Sequence, residues 1–294
     1  MKVRPLPPAC LAVLACFAAA SSASGEPVVQ LSPDVREKAV ETLRAGLRLA
    51  GPEQFWVAMH AAEGLALGGL GEEVVPVLEP KLAVEKDAQR RCGLARELVR
   101  AGRREHVAAL AEVLRSEDSY GHTHAAESLF KVDELGDAET MAERFQRGGD
   151  VKLRLMAAGA LARQGDGEAL AYIRACRDGE DPEGLQIAAW LLGVLGDESD
   201  VEPLRRRLDD APSPLVRAYV EHALACLGDA EGLARLARNL EDADAAVRTY
   251  AANFAGDAKA GSTKARLEAM LDDPHPDARV RAAQALMQLS RIHP

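Results

Sequence analysis

The stretch that decides the fold runs from Leu195-Gly196-Asp197 to Leu227-Gly228-Asp229. Between these two markers lie an amphipathic segment, Val201 to Leu208, a turn, Asp209-Asp210-Ala211-Pro212-Ser213-Pro214, and a second amphipathic segment, Leu215 to Leu227. The second segment carries its apolar residues at Val216, Val220, Ala223, Leu224 and Leu227, which is helical spacing. Pro214 falls at a helix start, where no amide donor is needed, and Gly228 falls just past a helix end, where a left-handed residue is favoured. The marker recurs at Leu135-Gly136-Asp137 and Gln164-Gly165-Asp166, and more weakly at Leu70-Gly71-Glu72 and Ala101-Gly102-Arg103. Successive glycines are 31, 34, 29, 31 and 32 residues apart. Self-similarity at this period marks a solenoid, whose units are too small to bury their own apolar faces and stack to do so.

Working outward from that copy predicts an all-α solenoid of about eight helix pairs, forming one elongated domain over residues 26–294. The second helices are expected near 52–69, 87–101, 119–133, 150–164, 182–195, 213–227, 244–256 and 276–290. The first helix of the first pair is expected from Asp34 to Ala50. With 48% hydrophobic but only 4% aromatic residues, the chain has the composition of small-residue helix packing. The few aromatics are therefore worth locating.

Residues 1–25 read as a secretory signal, with Lys2 and Arg4 as a short basic region, an apolar run from Leu11 to Ala20, and small residues through Gly25. The run is too short to span a bilayer, so no transmembrane segment is expected. The expected location is periplasmic or extracellular. The rival reading is a lipobox at Val13-Leu14-Ala15-Cys16, which would leave a lipid anchor on Cys16. Cys92, Cys176 and Cys226 remain in the mature chain, an odd number on distant repeats that implies neither a disulfide framework nor a metal site. Removing the signal takes away two basic and no acidic residues, so the net charge of -10 becomes -12. Such an acidic chain lacks the basic stripe that neutralises phosphates, which argues against nucleic acid as a partner.

The second helices share Asp150-x3-Arg154, Asp244-x3-Arg248 and Asp277-x3-Arg281, with Asp87-x3-Arg91 and Ser213-x3-Arg217 alongside. Small-residue seams follow, such as Ala282-Ala283-x-Ala285-Leu286. In these features, and in the Val-Arg pairs at Val216, Val247 and Val280, the chain resembles the HEAT-repeat family, in particular its phycobilisome-lyase-type HEAT-like units. The resemblance covers nearly all of the chain after residue 33. It implies an α-solenoid that binds or scaffolds other molecules on its concave face. The Asp-x3-Arg pairs themselves read as helix caps and a stacking ladder.

Two second helices depart from the ladder: Trp56-Val57-Ala58-Met59-His60-Ala61-Ala62-Glu63 and Tyr120-Gly121-His122-Thr123-His124-Ala125-Ala126-Glu127. His60 and His124 are read as filling the Arg slot, with Trp56 and Tyr120 in the Asp slot. Residues at i, i+4 and i+7 share a helix face, so Trp56, His60 and Glu63 point together, as do Tyr120, His124 and Glu127. With Arg91 between them, the expected site is a partner-binding groove on the concave face of the N-terminal repeats. The alternative is a duplicated aromatic–His packing motif. Met156, Trp190, Tyr219 and Tyr250 are assigned to repeat packing.

No metal or cofactor is expected. Equivalent positions two repeats apart should lie roughly 15 to 20 Å from each other, so His60 and His124 cannot share an ion held at about 2 Å. The deoxyhypusine hydroxylases, metal-dependent enzymes with HEAT-like repeats, use His-Glu dipeptides. Here only Glu105-His106 and Glu221-His222 occur, in reversed order. Phosphate-binding loops, nucleophile elbows and His-Glu-x-x-His are also missing. The sequence reading is therefore a non-catalytic module binding another protein, such as a secreted or envelope enzyme. Its alternative is an enzyme or accessory that assists a secreted hydrolase on a polymeric substrate.

Overall fold

The computed structural model describes residues 29–291. The signal segment and Cys16 lie outside the described residues. Sixteen α-helices and no strand occur among the described residues, arranged as eight pairs. The first helices are α1 (Pro33–Leu47), α3 (Gly71–Val84), α5 (Val107–Arg115), α7 (Ala138–Arg147), α9 (Gly167–Asp178), α11 (Val201–Asp209), α13 (Ala230–Asn239) and α15 (Lys264–Met270). The second helices are α2 (Phe55–Leu67), α4 (Ala88–Arg100), α6 (His122–Lys131), α8 (Val151–Arg163), α10 (Pro182–Leu195), α12 (Pro214–Cys226), α14 (Ala245–Asp257) and α16 (Pro276–Leu289).

Many of the helix starts have a local cause. The side chains of Asp87, Asp150, Asp166, Asp181, Ser213, Asp229 and Asp244 accept from amides of the first turn that follows, so orphan donors are satisfied where the chain turns. Several second helices are closed by a left-handed residue: Gly69, Gly102, Asp133, Gly165, Gly228 and Lys259. Aligned on these, the repeat is more even than the glycine count suggests. Asp133, whose short polar side chain tolerates that conformation, takes the role that Gly136 was assigned.

The stack does not have two free ends. Each second helix packs on the next, and α16, after packing on α14, also packs on α2 and α1. Eight pairs thus complete one turn, about 45° per pair. The seam is well built. Val29 N donates to the Leu289 carbonyl at 3.2 Å and Arg291 Nη1 to the Leu67 carbonyl at 2.7 Å. Lys38 Nζ meets Asp272 at 2.6 Å on the outer layer. On the second helices, His60 Nδ1 lies 2.7 Å from Asp277 and Arg281 Nη1 lies 2.8 Å from Glu63. Gly46 leaves room for Ala61 and Val280 to close in, and Ala282, Ala283, Ala285 and Leu286 are fully buried. The expected elongated solenoid is therefore a closed ring. The last helix is covered by the first pair. An apolar flank on each terminal pair has its lowest free energy when the two meet.

Candidate functional site

The left-handed closing residues give the true register of the inner helices. Eleven residues before them stand Ala58, Arg91, His122, Arg154, Arg217 and Arg248. This is the ladder slot. Its side chains hook back onto the carbonyls of the turn that precedes the helix: Arg91 onto Glu85 at 3.2 Å, Arg154 onto Phe145 at 3.1 Å, and Arg248 onto Asp242 at 2.8 Å. His122 Nε2, 2.9 Å from the Ser116 carbonyl, replaces the guanidinium in the third pair. In the last pair Arg279 makes these contacts, to the Asp273 and Pro274 carbonyls, so Asp277-x3-Arg281 sits two residues out of register. The assignment of His60 and His124 to the Arg slot is corrected in the same way. They lie two residues beyond it, in the slot shared by Gly93, Met156, Tyr219 and Tyr250.

That slot faces the inside of the ring, because it brings together helices that are not neighbours. Trp56 of α2 reaches across α4 and stacks on His124 of α6, with ring centroids 5.4 Å apart and planes at 30°. Gly93 makes this reach available: a Cβ there would lie 3.1 Å from Trp56 Cζ3 and 3.2 Å from Phe55. Burial lowers the pKa of His124 below the usual histidine range. Its Nδ1 is closed off from solvent without a hydrogen-bond partner. On the other side of the ring, Tyr219 and Tyr250 pack with centroids 5.2 Å apart, and Tyr250 remains 37% exposed. Both also pack on Phe254, in keeping with their assignment to repeat packing, and they occupy the same slot as His60 and His124.

Deeper along the inner helices the interior is charged. Glu63 bonds Arg281 and also Arg100, at 3.1 Å. Arg100 pairs with Glu97, which in turn bonds Arg96 at 2.6 Å. From Arg281 the chain of contacts continues through Gln284 and Asn253 to Asp257. Glu127 pairs with Lys131 at 2.7 Å, and Lys131 Nζ lies 5.2 Å above the Trp190 ring. Burial pushes the Glu63 carboxyl up, but Arg100 and Arg281 outweigh it and hold the group well below its ordinary range. Glu127 falls to about 2 because Lys131 and Arg96 likewise outweigh burial. Asp257 is pushed up to about 6 by desolvation and by Glu63. Its side chain still reaches solvent, as expected for a carboxylate crowded on all sides but lining an accessible interior.

The seven residues expected to form one groove are thus divided. Trp56, His60, Glu63, His124 and Glu127 lie on the inner face, although His60 and Glu63 are committed to the seam. Arg91 belongs to the ladder, bonding Glu85 and, at 3.3 Å, Glu112. Tyr120 stands at the rim, 54% exposed, with its hydroxyl 3.3 Å from Asp87. Neither joins the others. Sequence reasoning missed Lys131, Arg96, Arg100, Asp257 and Arg281. Their signal was periodic polar residues on the otherwise apolar second helices, visible only once the register was right.

Nucleophilic chemistry finds no support at Cys226. Its Sγ is 3.5 Å from His222 Nδ1, but burial raises the thiol and brings His222 down to about 3. Both groups are held neutral, so no thiolate–imidazolium pair forms. No helix among the described residues is long and apolar enough to cross a membrane.

Fold and interior together define a ring of HEAT-like helix pairs with a polar, aromatic-edged inside. The family model described as HEAT repeats matches residues 138–225, under a third of the chain, and the same helix-pair geometry runs through the other pairs. No curated protein matches the chain in sequence. Among solved structures, the chain is similar to human deoxyhypusine hydroxylase in complex with glycerol, at 18% identity and a TM-score of 0.42, covering 87% of this chain and 97% of that one. It is also similar to an engineered protein, at 19% identity and a TM-score of 0.28, covering 88% of this chain and 97% of that one. The first of these is an enzyme, and that corrects the expectation of a non-catalytic chain: helix pairs of this kind do not separate a scaffold from a catalyst. At that identity and TM-score the likeness assigns no reaction to this chain.

Proposed function

We propose that the ring is a binding module and that its contact surface is the inner mouth at the N-terminal ends of the second helices. The observation that carries this is the Trp56–His124 stack across Gly93, with an imidazole nitrogen left unpartnered. Buried polar groups are ordinarily paired, so an unsatisfied imidazole held against an aromatic face singles out this stack as the part of the inner surface not built for stability alone. Tyr219 and Tyr250 supply further ring surface on the same inward slot. The occupant is a segment of another protein. With neighbouring axes about 8 to 10 Å apart, an eight-helix ring leaves an opening of only about 5 to 8 Å radius. With side chains already included in that figure, the opening favours an extended segment over a helix about 10 to 12 Å across.

The leader-like sequence of residues 1–25 supports a place outside the cytoplasm, periplasmic or extracellular, with a secreted or envelope protein as partner. Cys16 lipidation is the competing form of the N-terminus, and the mass of the mature protein decides between them. The finer likeness to phycobilisome-lyase-type units rests on the in-register Val-Arg pairs at Val216 and Val247.

The binding test is a pull-down from the envelope fraction with wild type, with Trp56→Ala plus His124→Ala, and with Tyr250→Ala. All three should first show equal helical circular dichroism. A partner held by wild type and lost by the double variant is the expected result. Equal recovery by all three would remove the mouth as the contact surface.

A further inference from the structure

A second cluster lies on the outer layer, away from the interior mouth. Glu79 projects from α3, while Glu105 and His106 belong to the 3-10 turn Arg104–His106 that opens α5. One ligand atom from each of the three lies within 4.8 Å of the other two. His106 Nε2 is 3.7 Å from Glu79 Oε1, beyond hydrogen-bond reach. It is also closed off from solvent without a hydrogen-bond partner. A nitrogen lone pair or N–H left in this state is costly unless something satisfies it, and two carboxylates face it.

We propose that Glu79, Glu105 and His106 form a zinc-type divalent cation site with three protein ligands and water in the fourth position. An imidazole nitrogen with two carboxylate oxygens is a borderline donor set that suits Zn2+. Ca2+ and Mg2+ require more oxygen ligands than the cluster offers. Ligand atoms around a tetrahedral zinc lie about 3.4 Å apart, so the three groups close by roughly 1 Å when the ion enters. Glu105 is exposed and Glu79 is 42% exposed, so both can rotate to do so. Arg103 Nε, 3.6 Å from Glu79 Oε1, is the internal cation that the metal displaces. The ion would tie the outer helices of the second and third pairs together, and the interior surface does not depend on it.

The test uses the full chain after chelator treatment, with Zn2+ affinity measured by competition against a chromogenic chelator and Co2+ used as the spectroscopic probe. One ion per chain is expected, with tetrahedral Co2+ absorption. Affinity should fall at least about tenfold in His106→Ala and in Glu79→Gln. Glu105→Gln, at an exposed position, gives the same loss without risk to folding. Arg103→Met should bind several-fold more tightly, a gain that damage to the fold would not produce. The proposal is overturned if no ion binds at about 1 mM, if binding survives Glu105→Gln and Glu79→Gln, or if Arg103→Met fails to tighten it. In those cases the cluster is an acidic surface neutralised by Arg103.

Discussion

Closure of the ring predicts where the molecule opens first. Arg281 is 6% exposed and bonds Glu63 at 2.8 Å and Gln284 at 2.6 Å across and beside the seam. Arg281→Met keeps the apolar stem but strands the Glu63 carboxylate, itself 8% exposed. Breaking a buried pair from one side costs about 3 to 5 kcal/mol. Glu63 keeps Arg100 at 3.1 Å, so the lower end applies, about 3 kcal/mol. For a chain of this size that lowers Tm by about 5 °C. Repeat proteins respond through nearest-neighbour contacts, so the loss of amide protection should concentrate in α1, α2 and α16. Thermal melts and hydrogen exchange read by mass spectrometry measure both. A double-mutant cycle with Glu63→Gln should give a coupling of at least about 1 kcal/mol. The pH sign follows from Glu63, whose carboxyl is held well below 4.5 in the fold. Its contribution is fully present above pH 4.5 and fades as pH falls through the folded value. The difference between wild type and variant should shrink on the same path. An unchanged Tm, or protection lost evenly around the ring, would refute a load-sharing seam.

Three further variants test the interior and the packing. Asp257, pushed up to about 6 by desolvation and by Glu63, is charged in the fold at a cost. Asp257→Asn should therefore stabilise at pH 7.5, with the gain shrinking as pH falls through about 6 and vanishing near pH 4; a carboxyl-carbon NMR titration should place its midpoint near 6. A Cβ at Gly232 would lie 2.6 Å from Leu224 Cβ and 2.8 Å from the Ala225 backbone nitrogen. Gly232→Ala should cost about 1 to 3 kcal/mol in denaturant melts by forcing α13 off α12. Gly167→Ala, with nothing within 4 Å, should instead gain about 0.4 to 1 kcal/mol.

The helix pairs were legible because each is set by short-range chemistry. Pro214 at a helix start, Gly228 past its end, and capping residues such as Asp87 and Ser213 act within a few residues of themselves. The register of the inner face was less legible. Asp277-x3-Arg281 matches the spacing of Asp244-x3-Arg248, yet Arg279 fills the ladder slot, and only the turn carbonyls distinguish them. The same two-residue error in register hid that His60 and His124 share a slot with Tyr219 and Tyr250.

The amino-acid sequence by itself determined the repeat, its helices and their small-residue seams, since period and capping are local properties of the chain. Closure belonged to the tertiary structure, because the rotation between successive pairs accumulates over eight of them before His60 can meet Asp277. The stack of Trp56 on His124 was likewise decided in three dimensions. It spans two repeats and depends on Gly93, a residue whose contribution is the side chain it lacks.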